Sequence, residues 1–143
     1  MKIRLWLARI ALFAVFAVNL YCAAVFIVFP QNYLHAYQLS GAEGMAAIQG
    51  IGVAFLMWNV TYPLVIVRPD KHRALYLVVL IQQAVGIIGE SFILINLPAT
   101  YETLAGNLTR FIIFDACALV VLLAGFFLSR GFFQHHRRGG ENP

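Results

Sequence analysis

Ala74–Leu97, ALYLVVLIQQAVGIIGESFILINL, decides how the whole chain is read. It is an unbroken apolar run that nevertheless carries Gln82, Gln83 and Glu90. At a rise of about 1.5 Å per residue, roughly 20 helical residues cross a hydrocarbon core of about 30 Å, so this run is long enough to span a bilayer. A carboxylate inside such a run needs a partner or a task, because exposing it to lipid costs at least about 2.5 kcal/mol on insertion scales.

Three more stretches have the same character, and the spacing predicts spans at Leu5–Phe29, Gly44–Val67, Ala74–Leu97 and Phe111–Ser129. The composition agrees, with 62% apolar and 11% charged residues and a mean hydropathy of +0.81, well outside the range of soluble domains. Links of about 14, 6 and 13 residues leave no room for a soluble domain. The expected fold is an all-α, four-helix up-down transmembrane bundle over residues 1–130, in which sequential spans are antiparallel neighbours, followed by a basic tail over 131–143. A cleaved secretory signal is not expected, since the first apolar run exceeds the 7–15 residues or so of a signal core.

Orientation follows from the cations. Nine of the ten Lys and Arg residues flank one side of the spans (Lys2, Arg4, Arg9, Arg68, Lys71, Arg73, Arg130, Arg137 and Arg138), and Arg110 alone lies on the other. The positive-inside rule puts both termini in the cytoplasm, as expected for a multi-pass protein of the cell inner membrane. The net charge of +4 reports contact with anionic headgroups, and no nucleic-acid partner is expected.

Local punctuation sets the ends of the spans. Pro30 ends the first, and Tyr33 and Tyr37, one turn apart around His35, suit an amphipathic segment at the outer interface. Ser40-Gly41-Ala42-Glu43 has the spacing of a capping box, and Asn107 is positioned to cap the fourth span. Pro63 predicts a kink, with Asn59 as a local hydrogen-bond partner of the opened turn. Ala46, Gly50 and Ala54 form a small-residue face suited to close packing within the bundle. Asn107-Leu108-Thr109 matches a common glycosylation tripeptide that lies too close to the membrane to be expected to act as one.

Counting inward from the outer ends, Glu90, Asp115 and Gln49 fall roughly 7–11 Å deep, in one layer, with Asn19 nearer the midplane. On the second span, Gln49, Gly52, Leu56 and Asn59 form a polar stripe opposite Phe55 and Val60. If polar faces turn inward, Glu90, Asp115, Gln49, Asn19, Gln83 and Asn59 line a small pocket open to the outside, with the His35 loop near its mouth. Glu90 and Asp115 then form one coupled acidic site between the third and fourth spans, while Arg110 snorkels outward. Catalytic and metal motifs are missing: the chain has no HExxH, CxxC, GxSxG or phosphate loop, and no catalytic residue, metal or cofactor is expected. Cys22 and Cys117 lie at matching depths and are read as small buried residues in preference to a disulfide.

Length, four spans, inward termini, the basic Arg68-Pro69-x-x-x-Arg73 hairpin and the glycine-bearing third span (Gly86, Gly89) resemble the small bacterial DoxX-like membrane proteins. That resemblance implies an inner-membrane protein, sometimes accessory to quinone or thiosulfate oxidation. Glu90 and Asp115 are also similar in layout to the acids of four-span sterol-isomerase-like proteins, though no catalytic role is carried over. The function expected is to hold an apolar or amphipathic small molecule, a lipid or quinone, in the outward-facing pocket. The alternatives are a non-catalytic accessory subunit of a larger membrane complex and an enzyme using Glu90 and Asp115 as acid and base. Membrane lipids, a small apolar ligand and membrane proteins are the partners these readings allow.

Overall fold

A computed structural model describes residues 2–130, and their regular structure is entirely helical. The elements are α1 (Lys2–Val28), a 3-10 turn (Pro30–Tyr33), α2 (Gly41–Asn59), α3 (Tyr62–Val67), α4 (Arg73–Asn96) and α5 (Glu102–Arg130). Four stretches are long and apolar enough to cross a membrane: Ile3–Val28, Gly41–Val67, Arg73–Asn96 and Glu102–Ser129. The expected basic tail, 131–143, lies outside the described residues. Because the spans are four and antiparallel, residues 2 and 130 lie at one end of the bundle, the terminal end. The 29–40 and 97–101 links make up the opposite, loop end.

The second span is two helices. Pro63 has no N–H to give to the Asn59 carbonyl, and the chain answers with a break at Val60-Thr61 that restarts as α3. The Asn59 amide does bond locally, donating to the Phe55 carbonyl at 2.7 Å. The fourth span begins at Glu102, nine residues before the expected Phe111 (111 − 102), because helix resumes directly after the Pro98 link. Its first turn gains an acidic residue, Glu102, and a cap from another segment: the Gln38 side-chain oxygen accepts the Leu104 N–H at 3.0 Å. Asn107 therefore lies inside α5 and cannot cap it, and the Asn107-Leu108-Thr109 tripeptide is helical with Leu108 buried. At the start of α2 the expected capping box is not made: Ser40 forms no side-chain cap, and Gly41, at φ +66°, turns the chain in its place.

The helices are not arranged as a simple sequential ring. α1 packs against α2, α3 and α5, and α4 packs against α5, but the second and third spans meet chiefly through the short α3. Along the outer part of α2 there is no extended contact with α4, and a seam runs between them. The terminal half is tightly filled. Leu12 and Val15 of α1, Tyr62 and Val65 of α3, Tyr76, Val79 and Leu80 of α4, and Ala118, Leu122 and Phe126 of α5 form one buried cluster. Within it the Tyr76 hydroxyl donates to the Leu122 carbonyl at 2.9 Å, so the ring packs as an apolar body while its polar tip is satisfied. Apolar side chains elsewhere, such as Ile95 (82% exposed) and Val60 (72% exposed), point outward as they would towards lipid.

Close approach of α1 and α2 depends on Gly44 and Gly52, with Ile48 buried between them. A Cβ on Gly52 would stand 2.8 Å from the Ile27 side chain and 3.0 Å from the Ala23 carbonyl. The expected Ala46–Gly50–Ala54 face is instead exposed, with nothing within 4 Å of a Cβ built on Gly50. Both rows have four-residue spacing and differ only in phase around the helix, which composition alone does not decide.

Candidate ligand pocket

Two chambers occupy the loop half of the bundle, where the core is least filled. The first, of about 190 Å³, is lined by Val18, Asn19 and Cys22 of α1, Phe55 of α2, and Asn107, Arg110, Phe111, Phe114 and Asp115 of α5. The second, of about 300 Å³, is lined by Tyr37, Ile51, Phe55, Glu90, Ile93, Leu104, Leu108 and Phe111. Phe55 and Phe111 belong to both linings, with ring centroids 6.5 Å apart, and so form a shared wall. Phe26 of α1, buried to 2% exposure, stands near both rings at 6.1 and 6.3 Å and also meets Tyr33 at 4.6 Å and Tyr37 at 5.9 Å. These tyrosines turn inward onto Phe26 more than outward to an interface, and His35 between them is exposed.

Glu90 lies on the α2/α4 side of that wall, half-buried, and its Oε2 has no hydrogen-bond partner. Asp115 lies in the other chamber with Asn19, and both are nearly buried at 7% and 4% exposure. Gln83, 1% exposed, donates its amide to the Asp115 main-chain carbonyl at 3.3 Å and also approaches the Asp115 carboxyl. A Cβ on Gly86 would stand 3.2 Å from Asp115 Oδ2. Asp115 therefore sits beside Gly86, one helical turn from Glu90, and the two acids are near enough for their charges to interact. The expected packing of the third span on the fourth holds, as α4 on α5. The level of Asp115 differs from the expected one, since the early start of α5 carries it about 20 Å from the helix's beginning, against about 9 Å for Glu90 from the end of α4.

The other expected site residues are placed elsewhere. Gln49 is exposed and donates to the Ile27 carbonyl at 3.1 Å, tying α2 to the end of α1. Asn59 is buried at the α2/α3 break, outside both chambers. The expected stripe of Gln49, Gly52, Leu56 and Asn59 is thus split, with Gly52 and Asn59 inward and Gln49 and Leu56 outward. Phe55, expected to face lipid, is a wall of the site; Tyr37 and Phe111, aromatic residues with no polar signal in a span, line it as well. The available signal was the phase of Ile48, Gly52, Phe55 and Asn59 on α2, an inward row at i, i+4, i+7 and i+11.

The roof of the second chamber is the loop after the 3-10 turn. Burial pushes the Tyr37 phenol up to about 12, with the nearby Glu90 charge adding to this and the neighbouring Asn107 amide opposing it. Burial raises Tyr33 as well. Cys22 is half-buried at the first chamber and Cys117 is exposed; the two are not joined. Among the described residues, no group of three His, Cys, Asp or Glu is placed to hold a metal ion. Along the seam, a groove of about 400 Å³ between Ala54, Met57 and Trp58 of α2 and Ile81, Gln82 and Val85 of α4 continues towards the terminal end. Comparison with family models, with curated proteins and with solved structures finds no match to this chain.

Proposed function

We propose that this is a multi-pass protein of the cell inner membrane, with both termini in the cytoplasm, that holds an apolar or amphipathic small molecule of lipid or quinone type in the Glu90 chamber. The observation that carries the reading is the Glu90 carboxyl, with one oxygen unpartnered, in a cavity whose other lining groups are apolar or aromatic apart from the Tyr37 hydroxyl. Leaving a buried polar atom unsatisfied costs about 1–3 kcal/mol, and a ligand group that meets Oε2 would relieve that cost. Asp115, Asn19 and Gln83 form a supporting polar layer behind the Phe55–Phe111 wall. The separation of the two acids by that wall gives less support to acid–base catalysis between them.

A second reading, a non-catalytic accessory subunit, draws on the exposed Ala46–Gly50–Ala54 face, which leaves room for another helix to approach. Native mass spectrometry of the purified protein separates the two readings. A retained small molecule that disappears in Glu90→Ala supports the pocket, whereas an empty chain in stoichiometric complex with other proteins supports the subunit.

A further inference from the structure

Three aromatic rings surround the Glu90 chamber, and no basic residue belongs to its lining. Tyr37, Phe55 and Phe111 line the cavity, each meeting Phe26 edge-on, and the rest of the lining is Glu90 with Ile51, Ile93, Leu104 and Leu108, without Lys or Arg. Arg110, the cation nearest in sequence, lines the other chamber. A carboxylate with aromatic walls is complementary to an organic cation twice over, since the acid supplies charge and the ring quadrupoles attract a cation over their faces. A phosphate or carboxylate headgroup would meet Glu90 with no basic residue to offset it.

Resting on the pocket reading above, and narrowing it, we propose that the Glu90 chamber binds a lipophilic organic cation, an amine or quaternary ammonium with an apolar body, against Glu90 and the rings of Tyr37, Phe55 and Phe111. The apolar body meets Ile51, Ile93, Leu104 and Leu108 of the same lining. The loop end is covered, because Tyr37 packs on Phe26 and Gln38 is tied to Leu104. The cation thus arrives laterally, from the bilayer, through the outer part of the α2/α4 seam beside Glu90.

The test uses the full-length chain in phosphatidylglycerol nanodiscs and two probes of nearly the same shape, phenyltrimethylammonium and its uncharged counterpart tert-butylbenzene. Titration calorimetry against empty nanodiscs should show saturable binding of the ammonium alone, weakened about tenfold or more in Glu90→Gln and several-fold in Phe111→Leu, as loss of a partly desolvated cation contact requires. Phe111→Leu keeps the test decisive should Glu90→Gln fail to fold. Equal binding of both probes, or ammonium affinity unchanged in the folded variants, overturns the cation. So does displacement of the ammonium by phosphatidylethanolamine, which would make the occupant an ordinary zwitterionic lipid. The pocket reading is scored separately by native mass spectrometry: a neutral molecule retained through Glu90 would keep the pocket and discard the cation.

Discussion

Gly86 and Gly89 stand three residues apart on α4 and have opposite surroundings. A Cβ on Gly86 would meet the Trp58 ring at 2.7 Å and Asp115 Oδ2 at 3.2 Å, whereas one on Gly89 meets nothing within 4 Å. Gly86→Ala must push the indole aside in a packed site and should cost about 1–3 kcal/mol. Gly89→Ala, with room and a better helix propensity, should be neutral or gain up to about 1 kcal/mol. Thermal unfolding of the two variants in detergent checks this, and equal melting temperatures would contradict the Trp58–Gly86 contact. Glu90→Ala makes a different prediction. The chain should insert at least as well as wild type, since a charge within a span costs up to about 2.5–3.5 kcal/mol on insertion scales, yet the purified protein should lose its bound molecule. Poor membrane yield with ligand still present in the surviving fraction would assign Glu90 to architecture.

At the scale of elements, the loop between the first two spans behaves as part of α5. Tyr37 lies beside Asn107, and Gln38, held at the uncommon φ of 51°, reaches the Leu104 N–H. Because the folded loop raises the Tyr37 phenol from 10.0 to about 12, it favours the neutral form, and that contribution to loop docking is complete below pH 10 and lost as pH rises through about 12. The tyrosinate absorbance difference between wild type and Tyr37→Phe should therefore rise near pH 12 and be flat near 10; a step at 10 would mean an undocked phenol. The elements themselves were largely legible in the sequence, since apolar length, Pro30, Pro63 and Pro98 carry their own physics. The phase of each helix was not. Polarity sent Gln49 inward and Phe55 outward, but in lipid apolarity no longer marks the buried face, and close packing at Gly44 and Gly52 turned α2 the other way. Glu90 and Asp115 stood out in the sequence because an acid within an apolar span is conspicuous on any face. Their division between two chambers did not, as it depends on where α5 begins.

For the molecule as a whole, the terminal half is a filled core and the loop half a pair of chambers beside an open seam. Topology is the property to test first. Reporter fusions after Arg138 should be active only as cytoplasmic reporters, and fusions at Thr100, in the link between α4 and α5, only as periplasmic ones. The reverse pattern would turn the chambers towards the cytoplasm. The division into halves also separates stability from binding. Tyr76→Phe, which deletes the hydroxyl bonded to Leu122, should lower thermal stability by about 0.5–1.5 kcal/mol while leaving ligand retention intact. A loss of ligand at unchanged stability would show that the two halves are coupled more closely than their packing implies.

The Gln38 cap on α5 bears on the order of assembly. α5, made after the other described helices, finishes its first turn with a side chain sixty-six residues earlier in the chain. Until this fourth span is threaded back beside the first, the Leu104 amide has no such acceptor and the roof of the Glu90 chamber has nothing to fasten to. Biogenesis and site closure thus finish in one event. A chain cut in the 68–72 link and expressed as two pieces should rebuild its pocket only when both pieces share a membrane.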